Sequence, residues 1–265
     1  MPPLAISPET TFTAPGSAEG FSVCLLASGS KGNAIFISDG HTSILLDAGL
    51  SGKAIEARLA QRGLQAANLD AIVVSHEHSD HIRGVGVLSR RHGLPVYISP
   101  ATRQAAPQLG RLHQHHLFEV GTPFEIQTLC IHPFATSHDA ADPAGFTIAH
   151  NGLKVGIATD LGIATAMVKE RLKAVDLLIL EANHDLRMLH DGPYPWPLKQ
   201  RIKGRNGHLS NEDSRDLLAD LIHAKLRHVV LAHLSETNNH PHLARKIVGP
   251  LLERGKIPLT VSVQA

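Results

Sequence analysis

The chain of 265 residues has few cysteines, little net charge and no long apolar run, and each shortage removes a class of protein. Cys24 and Cys130 are its two cysteines, too few for the disulfide framework of a small secreted scaffold. Both sit in apolar runs and read as small buried residues of a protein kept in a reducing, cytoplasmic compartment. The formal net charge of +1 sets up no global field for a polyanion, so any basic attraction has to be local. No apolar run approaches the roughly 20 residues that cross a bilayer, so no membrane partner is expected. The stretch MPPLAISPETTFTAPGSAEG lacks the basic and apolar regions of a secretory signal, and residues 1–20 read as a disordered leader. The abundant residue is histidine, with 19 copies spread from His41 to His242 and no tag-like run. A hydrophobic content of 43% is ordinary for a soluble protein with a real core, and the length suits one large domain or two small ones.

Short apolar runs at 22–26, 34–38, 43–47, 71–75, 96–99, 124–133, 146–150, 154–159, 177–181, 228–232 and 259–263 predict strands. Asp39-Gly40 and Asn151-Gly152 carry hairpin turn chemistry between such runs. Apolar spacing of three and four predicts helices over 53–62, 79–92 and 210–225, and a last one after His242. The third is the clearest. Ser210 caps it, Asp213 stands at its third position, and Leu217, Leu218, Leu221 and Ile222 form the buried stripe. Strands with interspersed helices and hairpins mean a mixed sheet architecture under helical cover. SILLDAGLSGKAI and KVGIATDLGIATA both run strand, Asp, Gly, helix, which fits a two-sheet sandwich of two similar halves.

The chemistry concentrates in AIVVSHEHSDH, residues 71–81, where an apolar run ends in His76, His78, Asp80 and His81. A strand end gains nothing from three clustered imidazoles, so the cluster reads as a metal site. Other strand candidates end alike: LCIHPFATSHD delivers His138, VGIATD ends in Asp160, LLILEANHD carries Glu181 and VVLAHLS carries His233. Such ends converge on one edge of a sandwich while the strands build the core. His76 and His78, two apart in an extended loop, face one ion with His138 as the third nitrogen. Asp80 and His81 face a second ion completed by His233, and the two oxygens of Asp160 bridge both. Nitrogen and oxygen ligands without thiolate suit zinc, and also manganese or iron. Two such divalent ions, roughly 3.5–4 Å apart, hold a bridging hydroxide and clamp the attacking and leaving oxygens of an in-line displacement.

His76-x-His78-x-Asp80-His81, followed by His138, Asp160 and His233, resembles the metallo-β-lactamase superfamily across nearly the whole chain. The resemblance implies an α+β fold, a four-layer αββα sandwich of two mixed β-sheets with the site at one edge. It also implies that Asp47, in LLDAG, supports the ligands from behind. Glu181 and His208, the latter in NGHLSNED, resemble a Glu and a His that flank the metals in the tRNase Z relatives. There the pair helps protonate the departing oxygen, a step a phosphodiester needs because an alkoxide leaves poorly at neutral pH. With Asp80 they are the candidate catalytic residues. His208 also precedes the helix capped by Ser210, whose N-terminal amides favour an anion such as phosphate.

ASGSKGNA, LILEANHD, GPYPWPLKQRI, GHLSNEDS and LAHLSETNNHP, in that order, resemble the YycJ (WalJ, VicX) group of metal-dependent nucleases. The resemblance implies 5′-to-3′ DNA exonuclease activity. Local charge is compatible: Lys199, Arg201, Lys203 and Arg205 alternate along a basic loop beside Tyr194 and Trp196. Cations of that kind meet backbone phosphates, and rings stack on unpaired bases. Ser30 and Asn33 lie in SGSKGN, a stretch that either holds a phosphate on its backbone amides or simply connects two strands tightly. Asp160 and His233 are 73 positions apart (233 − 160), leaving no room for the inserted second domain of the RNase J and β-CASP relatives. Residues 21–265 are therefore expected to form one domain, with a nucleic-acid substrate and a DNA end favoured. Three alternatives stay open: a hydrolase of small cyclic phosphodiesters or lactones, a tRNase Z-like endoribonuclease, and a metal-stabilised binding protein without turnover.

Overall fold

A computed structural model describes residues 10–13 and 20–262. Its first sheet holds seven strands in chain order: β1 (Thr10–Thr13), β2 (Gly20–Ala27), β3 (Ala34–Ser38), β4 (Ser43–Leu46), β5 (Ala71–Val73), β6 (Pro95–Ile98) and β7 (Gln114–Leu117). The second also holds seven, β8 (Phe124–Ile126), β9 (Leu129–Ala135), β10 (Ala144–His150), β11 (Leu153–Ala158), β12 (Leu177–Glu181), β13 (His228–Ala232) and β14 (Leu259–Val261). In each sheet the first four strands run antiparallel and the last three continue in parallel from the fourth. The two halves suspected from the internal echo share this plan.

Parallel neighbours cannot be joined by a tight turn, so crossover helices cover the outer faces. The first sheet is followed on that side by α1 (Gly52–Ala60), α2 (Ser79–Ile82), α3 (Val85–His92) and α4 (Pro100–Ala105). The second carries α5 (Ala166–Leu172), α6 (Leu186–Asp191), α7 (Trp196–Ile202), α8 (Asn211–Leu221) and α9 (Pro241–Glu253). Central strands covered on both faces read as unbroken apolar runs, and β12 (LLILE) is buried at every position. Its Leu177 and Ile179 point between the sheets, where Ile37, Ile44, Phe146 and Ile157 meet them. Its Leu178 and Leu180 point outward against Leu172, Leu217, Val248 and Leu252 of the covering helices. On the other flank Leu45 and Ile72 pack on Ile55, Leu59 and Leu88. The layers are thus α, β, β, α, and each fully buried Leu or Ile contributes about 1.5–3 kcal/mol.

This topology sends the carboxyl ends of β4, β5, β11, β12 and β13 to one edge, where Asp47, His76, Asp160, Glu181 and His233 follow or end them. Asp47, Asp160 and His233 have φ of 60°, 54° and 58°, a left-handed turn that side-chain polar atoms can stabilise and apolar residues avoid.

Several expectations need correction. The run 124–133 is a hairpin, β8 and β9, broken where Gln127 adopts φ 49°. The helix over 79–92 splits at Arg83 and Gly84, where Gly84 N leaves the helical ladder and donates to the Ala48 carbonyl at 2.7 Å. The basic stretch 199–205 begins inside α7 rather than in a loop. Cys130 is exposed, since the alternation of β9 turns it outward, while Cys24 is buried. Of the supposed leader, Thr10–Thr13 pairs with β2 as an edge strand, and residues 1–9 and 14–19 lie outside the described residues. Among the described residues no helix is long and apolar enough to cross a membrane.

The tightest backbone approach serves the site. Gly49, just past Asp47, lies so close to the Asp80 carbonyl that an added Cβ would sit 1.6 Å from it. Gly49→Ala is expected to cost about 3 kcal/mol through overpacking and to displace Asp80. Thermal unfolding together with bound-metal analysis checks this; an unchanged midpoint and metal content would refute it.

Candidate metal centre

The site is assembled from the carboxylates outward. Asp47 is buried behind it and accepts from Ser75 N at 2.8 Å, Ser75 Oγ at 2.7 Å and His81 Nδ1 at 2.8 Å. An ionised carboxylate can only accept, so His81 carries its proton on Nδ1 and turns the Nε2 lone pair to the front. Having donated to Asp47, Ser75 Oγ accepts from His76 Nδ1 at 2.9 Å, which frees His76 Nε2 in the same way. One buried carboxylate thereby sets the tautomers of two imidazoles.

His76 Nε2 lies 3.1 Å from His78 Nδ1, which lies 3.3 Å from His138 Nε2. The far nitrogen of His138 is directed to the Gly207 carbonyl at 3.3 Å. Two nitrogens bound to one tetrahedral zinc at roughly 2.0–2.1 Å stand about 3.3 Å apart, so these three already have the spacing of a ligand set.

A second group gathers beside it. His81 Nε2 stands 3.6 Å from Asp80 Oδ2 and 3.3 Å from Asp160 Oδ2. His233 Nε2 stands 3.9 Å from Asp80 Oδ2 and 3.6 Å from Asp160 Oδ1. Asp160 Oδ1 is also 3.7 Å from His138 Nε2, so that carboxylate lies between the two groups. Asp160 Oδ2 and His233 Nε2 are buried without a hydrogen-bond partner. Buried polar atoms left unpaired among ligand-type groups at these separations fit divalent ions there. His76, His78 and His138 could hold one; Asp80, His81 and His233 could hold the other.

Charge follows the same division. Burial, aided by His81, pushes His76 well below the usual imidazole range, and burial also lowers His138. For His233 burial opposes the charge, but Asp160, Asp80 and Glu181 outweigh it and carry the pKa up to about 10. His81 is likewise raised, with Asp160 and Asp47 overcoming burial. An ion bound there has to displace protons from these two imidazoles, as metal ligation generally does.

Glu181 stands behind the imidazoles. It has no solvent exposure, and each of its oxygens is doubly occupied. Oε1 accepts from His233 Nδ1 at 2.7 Å and His208 Nδ1 at 2.8 Å; Oε2 accepts from Leu161 N at 3.0 Å and Leu209 N at 3.1 Å. Burial resists its ionisation, yet His208 and His233 hold its pKa down at about 2. Its bonds all go to neighbouring groups, and it does not line the cavity described next. His208, with 20% of its side chain exposed, opens into a cavity of about 250 Å³ lined also by His78, Asp80, Asp160 and His233.

The supposed substrate contacts divide. Ser30 and Arg201 line that cavity. Asn33 does not behave as a phosphate contact: its Nδ2 donates to Asp80 Oδ2 at 3.2 Å, and its backbone N donates to Asp80 O at 2.7 Å. Through Asn33 the SGSKGN stretch clamps Asp80. Lys199 Nζ donates to the His190 carbonyl at 2.6 Å, away from the cavity. Lys203 and Arg205 line a neighbouring cavity of about 320 Å³. Sequence reasoning missed Ser75, Asn183, whose Nδ2 donates to the His233 carbonyl at 3.0 Å, and Ser28, which accepts from His233 N at 2.7 Å. Only their places beside ligand-bearing strand ends hinted at them.

Comparison with known proteins agrees with this geometry. Residues 42–234 match the family model described as a β-lactamase superfamily domain. The exodeoxyribonuclease YycJ of Bacillus anthracis is 40% identical over 237 residues, covering 88% of this chain and 90% of that protein. The exodeoxyribonuclease WalJ of Streptococcus pneumoniae is 39% identical over 230 residues, covering 85% and 86%. The metallo-β-lactamase fold protein YhfI of Bacillus subtilis superposes with a TM-score of 0.73 over 92% of this chain and 97% of its own, at 20% identity.

Because Asp47 stands behind both groups and Glu181 behind one, their losses should differ. Asp47→Asn is expected to weaken both ions, and Glu181→Gln the ion at His233, each by about 10–100-fold. Titration against a competing chelator, with metal counted per chain, measures this; equal loss of a single ion in both variants would contradict the arrangement.

Proposed function

The chain belongs to the metallo-β-lactamase-fold superfamily, and on that premise we propose that it is a metal-dependent phosphodiester hydrolase of nucleic acid, a 5′-to-3′ DNA exonuclease. The observation that carries this reading is the 40% identity to an exodeoxyribonuclease over 90% of that relative's length. The geometry supports it with a ligand set for two divalent ions and a partly exposed imidazole beside them. Residues 21–265 act as one domain in a reducing, cytoplasmic setting.

Two ions, whether zinc, manganese or iron, supply Lewis-acid charge to the phosphodiester when bound. The protein's own groups do the rest. Asp80, held by Asn33, and Asp160, between the two ligand groups, keep the anionic faces of the site fixed. The Glu181 carboxylate accepts a hydrogen bond from His208 Nδ1, so His208 presents Nε2 to the cavity. That carboxylate also favours the imidazolium, raising His208 against the effect of its burial. His208 therefore holds a proton at Nε2 for the departing sugar oxygen, an alkoxide that leaves poorly without one. Glu181 contributes by orienting His208 and His233.

Purified protein loaded with each metal in turn should release mononucleotides from DNA labelled at its 5′ end, and Asp80→Ala should abolish the release. Absence of products with every metal would refute the reading. His208→Ala should lower the rate on DNA by about 10²–10⁴-fold. Hydrolysis of bis-para-nitrophenyl phosphate, whose leaving group needs no proton, should fall far less. Equal losses on both substrates would argue against His208 as the acid.

A further inference from the structure

α7 is unusual in burying none of its residues. Its placement is at the rim of the metal cavity, where Leu198, Arg201 and Ile202, spaced three and four apart, form its inner face. The opposite face carries Trp196, which is 62% exposed, with Lys203 Nζ 5.0 Å above the indole ring. Past the helix the chain turns from Lys203 to Arg205 and enters the neighbouring cavity of about 320 Å³. That cavity shares a wall with the first: His208 faces the metal ligands, and Leu209 faces the neighbour.

The charges along this path are unequal in their commitments. Asp139 Oδ2 accepts from Arg201 Nε at 2.6 Å, which steadies the guanidinium beside the ligand His138. In the second cavity Asp220 is paired with Lys169 at 2.6 Å, Asp213 caps α8 through Ser210, and Asp216 engages Arg215. Lys203 and Arg205 have no carboxylate partner among the described residues, and both are exposed. A phosphate can meet them without displacing an existing ion pair. Isolated surface cations beside a negatively charged strand are worth most when they release its counterions.

Resting on the phosphodiesterase reading above, we infer that residues Trp196 to Arg205 form the track of a single DNA strand. Arg201 contacts a phosphate at the metal cavity, Lys203 and Arg205 contact phosphates of the strand beyond it, and Trp196 stacks on a base. The track explains how a small cavity handles a polymer: the reacting end enters it while the trailing strand lies over the second cavity. A stacked ring tolerates any base, so the contacts favour unpaired DNA of any sequence.

Trp196 is the single tryptophan of the chain, which makes it a direct reporter. Full-length protein held with a chelator, so that DNA stays uncut, should lose tryptophan emission as single-stranded DNA is added. Lys203→Ala combined with Arg205→Ala should weaken binding by about tenfold at 0.1 M salt, and the salt dependence should flatten by about 1.4, roughly 0.7 per lost phosphate contact. Lys203→Arg with Arg205→Lys should restore both. With metal, the double alanine variant should keep its rate on bis-para-nitrophenyl phosphate and lose the advantage of long strands over a dinucleotide. Unchanged affinity and salt slope would overturn the track, as would DNA binding by anisotropy without any change in Trp196 emission. Failure of the functional reading looks different: loaded wild-type protein would hydrolyse the small diester and leave DNA intact.

Discussion

Ligand-type nitrogens and oxygens held face to face are the constraint on which this molecule turns. Imidazole nitrogens from the loop after β5 and the loop after β9 point at one another at 3.1 and 3.3 Å, and a buried carboxylate lies between them and a second such group. Without a cation, a shared imidazole proton is the one bond such nitrogens can make, and desolvating the rest costs free energy. The surrounding layers have to hold them against that tendency to splay. Three apolar clusters, one between the sheets and one outside each, supply the rigidity, and buried carboxylates at Asp47 and Glu181 aim the imidazoles from behind.

The two halves of the chain meet this constraint with the same parts in exchanged roles. Each has an antiparallel set of strands followed by a parallel set, and each parallel set starts with an Asp in left-handed conformation, Asp47 or Asp160. Each also anchors the next strand with an Asp that exchanges backbone and side-chain bonds with the strand before it. Asp70 does so with Ser43, and Asp176 does so with Lys154. In the first half the Asp after the fourth strand is the support, and the ligands follow the fifth. In the second half Asp160 is itself among the residues that could hold an ion, and the support, Glu181, ends the next strand.

The parts legible in sequence were those where residue type and element end coincide. His76, His78, Asp80, His81, His138, Asp160 and His233 could be read because each follows an apolar run, and the run itself is the buried strand. The capping box at Ser210 and Asp213 was equally visible, since its partners are three residues apart. What escaped was decided by tertiary contact. β7 reads QHHL and is exposed throughout, so no apolar signal marks it. The cations from Lys199 onward stand at alternate positions, which suggests an extended loop, yet α7 ends between Arg201 and Lys203 and the two line different cavities. Asn33 was ambiguous because an amide can serve a ligand or a loop, and only its approach to Asp80 decides.

α7 also bears on how the molecule breathes. A helix that buries none of its side chains gets little stability from the core. It is tethered by a few polar links, among them Arg201 to Asp139 and the His208 amide to the Ile202 carbonyl at 2.8 Å. Segments of this kind open locally at lower free energy than the strands beneath them. His208 itself is anchored on the stiff side by the Glu181 carboxylate at 2.8 Å, so the imidazole and the rim helix are held by separate means.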